Sequence, residues 1–413
     1  MEQARKIVEI AENKAKEQFK KVEDIAYFNQ EKVIRAFQKN RIALRHFAQT
    51  NGYGYGDDGR DTLNCLFADV FGTETALVSP HILSGTHALS VALFGVLRPN
   101  DVLLSITGKP YDTLDEVIKG ADGSLYDFGI KYDQIDMIGD CIDLEKVKEK
   151  AANPFVKVVF LQRSRGYSLR NAISIAQIEE AVKVVRSVNK DVCIMVDNCY
   201  GEFVDVKEPS EVGADVIIGS LIKNPGGGIA PTGAYIAGKQ VYIDKIAGRL
   251  TAPSIGSEVG SYSYGYQYFY QGLFLAPHAV SQAIKGSILF AYAFSEVGYK
   301  TIPAPEEDCQ DIIRDIFLSN DKELVAFIQM IQNVSPIDSF LTLEPWDMPG
   351  YDSKVVMAAG CFVQGASLEL SADSPVKPPY VAYLQGGITY EHCKFAAINC
   401  VDAVLKERAK YTK

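Results

Sequence analysis

Apolar residues recur along this chain in two rhythms. Between residues 70 and about 240, short and nearly unbroken apolar runs occupy 75–78, 101–107, 156–161, 192–196 and 216–219. Runs of that length, rich in Val, Ile and Leu, fit strands buried on both faces. Stretches of helical period lie between them. One is opened by Ser84-Gly85-Thr86 and runs to about Leu97. Another is opened by Ser174 with Gln177 three residues on, a capping box, and runs to about Val188. Strand and helix in alternation predict a doubly covered, mostly parallel α/β sheet, with its ligand crevice at the carboxyl ends of the strands.

The flanks differ. Residues 1–48 read as a helical arm, with Ile7, Val8, Ile10 and Ala11, then Val33, Ile34 and Phe37, at helical spacing. Residues 51–63, NGYGYGDDGRDTL, read as an irregular polar loop. After Gly238 comes a tyrosine- and glycine-rich segment that suits a cover over a site or a subunit contact. A long apolar helix over about 278–297 then leads to a smaller α+β part. That part has strands at 354–359 and 367–370, a loop SADSPVKPPYVAYLQGG, and a last helix from Tyr390. The division expected is an N-terminal arm and loop over 1–60, a large domain over 61–285 and a small domain over 286–413.

Charge narrows the function classes. A net charge of −10, with no lysine- or arginine-rich block, argues against nucleic acid as partner. The N-terminal stretch is charged throughout, unlike a signal peptide or anchor, and no apolar run is long enough for a bilayer. The eight cysteines contain no CxxC pair and read as small core residues of a cytoplasmic protein. The five histidines are too dispersed for a metal site.

The chemistry gathers at strand ends. The run 192–196 stops at Asp197, and a carboxylate there needs a cationic or donating partner. The run 216–219 delivers Ser220 and then Lys223, followed by Asn224-Pro225 and three glycines. A lysine and an aspartate on neighbouring strand ends suit pyridoxal 5'-phosphate: the amine bonds the aldehyde, and the carboxylate keeps the pyridine nitrogen protonated. An ordinary ion pair would use the same two residues. Ser84, Gly85 and Thr86 at a helix start can cradle a phosphate, or simply cap the helix. Tyr111, after a strand end, suits a ring laid over a flat ligand, though its position alone fits a buried tyrosine at a strand–helix corner better. Arg163, Arg165 and Arg170 follow the 156–161 run and can hold a substrate carboxylate bidentately, while one or two of them fit solvated loop arginines. Tyr55 and Arg60 are placed near an anionic group.

The motifs GYGYGDDGRD, SGTHAL, GKPYDTLDEVI, QRSRGYSLR, VDNCYGEF, GSLIKNPGGGIAPTG, YQGLFLAPHAV, GASLELSAD and YLQGGITYEH together resemble the pyridoxal-phosphate enzymes of fold type I. Within them the chain is similar to the transsulfuration group. Its closest likeness is to the branch called methionine gamma-lyase-like or aluminium resistance protein, related to cystathionine beta-lyase. The resemblance implies that Lys223 bonds the cofactor, Asp197 pairs with its pyridine nitrogen and Tyr111 stacks on its ring. Gly85 and Thr86 then offer amides, and Ser220 a hydroxyl, to the phosphate. Tyr55 and Arg60 reach a neighbouring subunit's phosphate, so the sites are composite and the assembly a homo-oligomer, a homotetramer by likeness. The implied activity is an amino-acid lyase acting on carbon–sulfur bonds by β- or γ-elimination. Another amino-acid reaction on the same scaffold (aldol cleavage, racemisation, transamination) shares these residues, as does a weakly catalytic cofactor-binding protein in stress or metal tolerance. Two departures stand out. Ile222 replaces the threonine common before the lysine, and the small domain lacks the group's carboxylate-binding arginine. From residue 354 on the only arginine is Arg408, leaving Lys377 as a weaker candidate beside Arg163 and Arg165.

Overall fold

The computed structural model describes residues 1–120, 122–348 and 353–411. Its large sheet has seven strands: β1 Thr75–Ser79, β2 Val102–Ser105, β3 Lys131–Gln134, β4 Val156–Gln162, β5 Cys193–Asp197, β6 Val216–Ser220 and β7 Ala234–Gly238. The order is β1-β7-β6-β5-β4-β2-β3. Pairings among β2 to β6 are parallel, while β7 runs antiparallel to both β1 and β6. All five positions of β5, β6 and β7 are buried. The reason is two-sided packing. Ile194, Val196 and Ile217 join one core cluster, while Cys193, Met195, Val216 and Ile218 join the other. Each such aliphatic side chain contributes roughly 1.5–3 kcal/mol on burial, which is why these strands carry no polar alternation. The capping box is present: Ser174 and Gln177 cap the Ile175–Val188 helix reciprocally. The edge strand β3, sequence KYDQ, alternates exposed and half-buried positions, and it escapes a search for apolar runs.

A second sheet is antiparallel throughout, in the order β10-β11-β12-β9-β8. Its strands are β8 Thr301–Ile302, β9 Ile313–Phe317, β10 Val355–Ala358, β11 Ser371–Pro375 and β12 Val381–Gln385. Two expectations need correction here. The expected strand at 367–370 is not one: Glu369 curls the backbone by accepting from the amides of Phe362 and Val363 at 2.9 and 3.0 Å. The segment SADSPVKPPYVAYLQGG is no loop but the β11–β12 hairpin. Its polar first half is held as a strand by buried Ala372 and Ser374, the latter bonded to the Val381 carbonyl at 2.6 Å.

The N-terminal arm is two helices, Glu2–Lys14 and Lys16–Lys39. They lie on the long Gln267–Glu296 helix of their own chain. That helix begins eleven residues before the expected 278 and continues across the expected boundary at 285. The loop of residues 51–63 is likewise shorter than expected, because Asp57 caps a helix, Asp58–Val70, by accepting from the Arg60 amide.

Candidate active site

The carboxyl ends of β4, β5 and β6 bring the main candidates together. Asp197 closes β5, is buried, and accepts from the Cys199 amide at 3.1 Å. Burial pushes its carboxyl above the ordinary aspartate range, and the Lys223 charge pulls it back. Lys223 follows β6 by three residues, with its Nζ 4.1 Å from the centre of the Tyr200 ring. Burial lowers its ammonium, but the groups around it (Cys199, Tyr200, Asp197 and Tyr111) outweigh burial, so the amine sits above the lysine range. The turn after Lys223 needs its glycines. A Cβ on Gly227, at φ +58°, would fall 2.3 Å from the Gly272 carbonyl oxygen of the long helix.

Opposite lies the N-terminus of the Gly85–Val96 helix. The Ser84 hydroxyl serves as its cap, accepting from the His87 amide at 3.0 Å. The Gly85 and Thr86 amides belong to the open first turn, where anions are favoured. A Cβ built on Gly85 would lie 3.7 Å from that of Ser220 and 3.6 Å from the Cys199 Sγ, so helix start and strand end touch. The Thr86 hydroxyl lies 3.0 Å from the Tyr111 hydroxyl. The Tyr111 amide donates to Gln162 Oε1 at 2.9 Å, pinning the residue to the end of β4. Burial, with Asp197 close by, pushes the Tyr111 phenol well above its ordinary range. It therefore stays a neutral hydroxyl at physiological pH.

Tyr111 and Tyr200 open into a cavity of about 530 Å³, also lined by Gln162, Arg165, Tyr167, Ile313, Asp373, Tyr383 and Gln385. An outer cavity of about 460 Å³ shares Lys109, Asp112, Tyr167 and Tyr383 with it and reaches Lys377. The three arginines after β4 part company. Arg163 is not on this cavity. Its guanidinium donates to Asn198 Oδ1 at 2.9 Å and to the carbonyls of Gly201 and Ile173 at 2.8 and 3.3 Å, which makes it a structural clamp. Arg170 is spent on the carbonyls of Asn171 and Ser164. Arg165 lines the cavity, paired at 3.5 Å with both Asp311 and Asp315, while its buried Nε has no partner among the described residues.

Tyr55 and Arg60 lie apart from this group. Tyr55 is 70% exposed, with its ring beside Tyr53. The Arg60 guanidinium donates to the Gly54 carbonyl at 3.0 Å and pairs with Asp61.

Two residues escaped sequence reasoning. Tyr200 sits at φ +72° and faces Lys223; its place three residues after a strand-terminal aspartate was the available signal. Glu202 is fully buried, accepting from the Tyr235 hydroxyl at 3.0 Å, and burial pushes its carboxyl up to about 8. A carboxylate in VDNCYGEF gives no hint in the sequence that it turns inward.

The family model described as methionine gamma-lyase matches residues 4–405. The uncharacterized protein YnbB of Bacillus subtilis (strain 168) is 48% identical over 394 residues, 94% of this chain and 93% of that one. The crystal structure of a carbon-sulfur lyase involved in aluminum resistance from Clostridium novyi NT superposes with a TM-score of 0.94 at 47% identity. It covers 98% of this chain and 96% of its own. At 14% identity and a TM-score of 0.64, the pyridoxal-5'-phosphate dependent protein YhfS of Escherichia coli shares the fold, covering 93% and 97% of the two chains. The architecture is thus that of the fold-type I pyridoxal-phosphate enzymes, and the chain belongs to the methionine gamma-lyase family.

Proposed function

We propose that this protein is a pyridoxal-phosphate-dependent amino-acid lyase that breaks a carbon–sulfur bond by β- or γ-elimination. One observation carries the reading: a half-buried lysine and a buried aspartate converge on one tyrosine and one helix N-terminus at the carboxyl ends of neighbouring strands. The donor set fits the cofactor part by part. The Gly85 and Thr86 amides and the Ser220 hydroxyl suit its phosphate, the Tyr111 ring its face, Asp197 its pyridine nitrogen and Lys223 its aldehyde. When bound, pyridoxal phosphate supplies an electron sink for the α-carbon. The chain's residues do the rest. Lys223, which would hold the cofactor's aldehyde, would also serve as the base for the α-proton once its amine is free. Asp197 holds the pyridine nitrogen protonated. Tyr111, kept neutral by burial, donates its Oη proton to the departing sulfur. Arg165 turns its unpartnered Nε to the substrate carboxylate.

Tyr55 and Arg60 complete the phosphate site of a neighbouring subunit in a homotetramer, consistent with an exposed Tyr55. Among the described residues no helix is long and apolar enough to cross a membrane. The eight free cysteines fit the reducing cytoplasm. The name of the Clostridium novyi protein supports both the bond broken and a link to metal tolerance.

The test is an assay of the cofactor-loaded protein against a panel of sulfur amino acids, following release of thiol or sulfide together with a 2-oxo acid. Asp197→Asn should retain cofactor and lose turnover by about a hundredfold, the scale of a lost electrostatic stabiliser. Transamination or racemisation of the panel without any sulfur release would refute the lyase assignment.

A further inference from the structure

The antiparallel sheet sets three polar side chains in a row across its strands. Asp315 on β9 stands opposite Tyr383 on β12, which stands opposite Asp373 on β11. Directly opposed residues bring their Cβ atoms within about 5 Å. Two of the three, Tyr383 and Asp373, line the cavity beside Tyr111, and Tyr167 from the loop after β4 joins them. The rings of Tyr167 and Tyr383 lie 4.7 Å apart, tilted at 53°. Their hydroxyls are turned into the wall: that of Tyr167 donates to Asp373 Oδ2, and that of Tyr383 donates to the Tyr167 carbonyl at 3.0 Å. The cavity therefore meets two aromatic rings and the second oxygen of a carboxylate, Asp373 Oδ1, which has no partner among the described residues.

Cations in this wall are already matched. Arg165 faces Asp311 and Asp315, and Lys109 faces Asp112 and Asp115. Burial pushes the Asp373 carboxyl up to about 6, so at neutral pH it is still mostly an anion, without a counter-charge among the described residues. A carboxylate flanked by aromatic faces is a favourable environment for an ammonium group, through ion pairing and cation–π attraction together.

We propose that Asp373, Tyr167 and Tyr383 form a subsite for a cationic group at the end of the substrate side chain. Amino acids bearing a second ammonium are thereby selected over those with uncharged side chains. For a carbon–sulfur substrate, that ammonium is carried on the group beyond the sulfur. The proposal rests on the amino-acid reading above.

The probes are L-ornithine and L-norvaline, equal in carbon chain and different in the terminal ammonium, titrated into cofactor-loaded protein by calorimetry. Wild type should bind ornithine about tenfold tighter or more, the scale of one charge-assisted contact. Asp373→Asn should bring the two affinities within about threefold by weakening ornithine alone, with cofactor content unchanged. Tyr167→Phe keeps the charge and should keep the preference. Norvaline binding without any ornithine preference in wild type would overturn the proposal and leave the lyase reading standing, and so would a preference that survives Asp373→Asn. If neither probe binds the loaded protein, the amino-acid reading itself fails and the subsite with it.

Discussion

The candidate site has two sides, and they are made in different ways. On the large-sheet side the chemistry stands where strands stop: Gln162 ends β4, Asp197 ends β5, and Lys223 lies three residues past β6. On the small-sheet side it stands in mid-strand, Asp373 at the centre of β11 and Tyr383 at the centre of β12. A strand end in a doubly covered sheet is announced by an apolar run that gives way to a polar residue. In β11 half-buried Asp373 lies between buried Ala372 and Ser374, and this polar strand looks like a loop. On the proposed reading, reacting groups come from the side that a sequence displays, and selecting groups from the side that it hides.

The sharpest way to break this division is at Lys223. If the large-sheet side does the chemistry, Lys223→Ala should abolish borohydride-reducible attachment of pyridoxal phosphate and cut turnover by about a thousandfold or more, the upper range for a base. The check is the mass of the reduced Lys223 peptide beside the assay. A variant that keeps covalent cofactor would move the reacting group elsewhere.

The same contrast explains how much was legible beforehand. The strands β1, β2, β4, β5 and β6, the Ser84 and Ser174 helix starts and the meeting of Asp197 with Lys223 follow from apolar runs and caps, which are local signals. The β11–β12 hairpin, the inward turn of Glu202 and the different fates of Arg163 and Arg165 are tertiary. Arg163 and Arg165 lie two residues apart in one loop, yet one is claimed by Asn198 and Gly201 and the other by the acids beside β9. Nothing in QRSRGYSLR encodes that choice, because it depends on which carbonyls and carboxylates arrive from residues far along the chain.

Glu202 offers a second break, in stability instead of rate. Its carboxyl is ordinarily near 4.5 and stands at about 8 in the fold because of burial. Between those values the folded chain keeps a proton that the unfolded chain has released. Stability therefore falls as pH rises, by up to about 1.4 kcal/mol per unit from this group. Glu202→Gln, neutral at every pH, should remove that slope. The measurement is the urea midpoint of both proteins at pH 5 and pH 8. A variant whose midpoint falls as steeply as wild type would show that Glu202 is ionised in the fold.

The two arginines sharpen the comparison further. Arg165→Lys keeps a charge for Asp311 and Asp315, avoiding the roughly 3–5 kcal/mol cost of stranding buried acids, but loses the Nε donor. It should raise KM about tenfold with cofactor content unchanged. Arg163→Lys should leave KM within about twofold and instead cost about 1–3 kcal/mol of stability, because buried carbonyls lose their donor. The reverse pattern would exchange their roles.

The smallest effect belongs to Lys377. It lies in the turn between β11 and β12, exposed, at the edge of the outer cavity. An ammonium there acts on a ligand through water, where an ion pair contributes roughly 0–1 kcal/mol and is weakened by salt. Lys377→Ala should therefore raise KM by no more than about twofold at low ionic strength and less at high. The turn that carries it is free to lose the side chain, since the Val376 and Lys377 amides are held by the Lys354 and Pro375 carbonyls at 2.7 and 2.9 Å. The variant thus tests the charge and little else. A tenfold rise in KM that salt does not diminish would mean that the turn closes onto the substrate during turnover. The small-sheet side would then hold the carboxylate after all, and Arg165 would be left to brace Asp311 and Asp315.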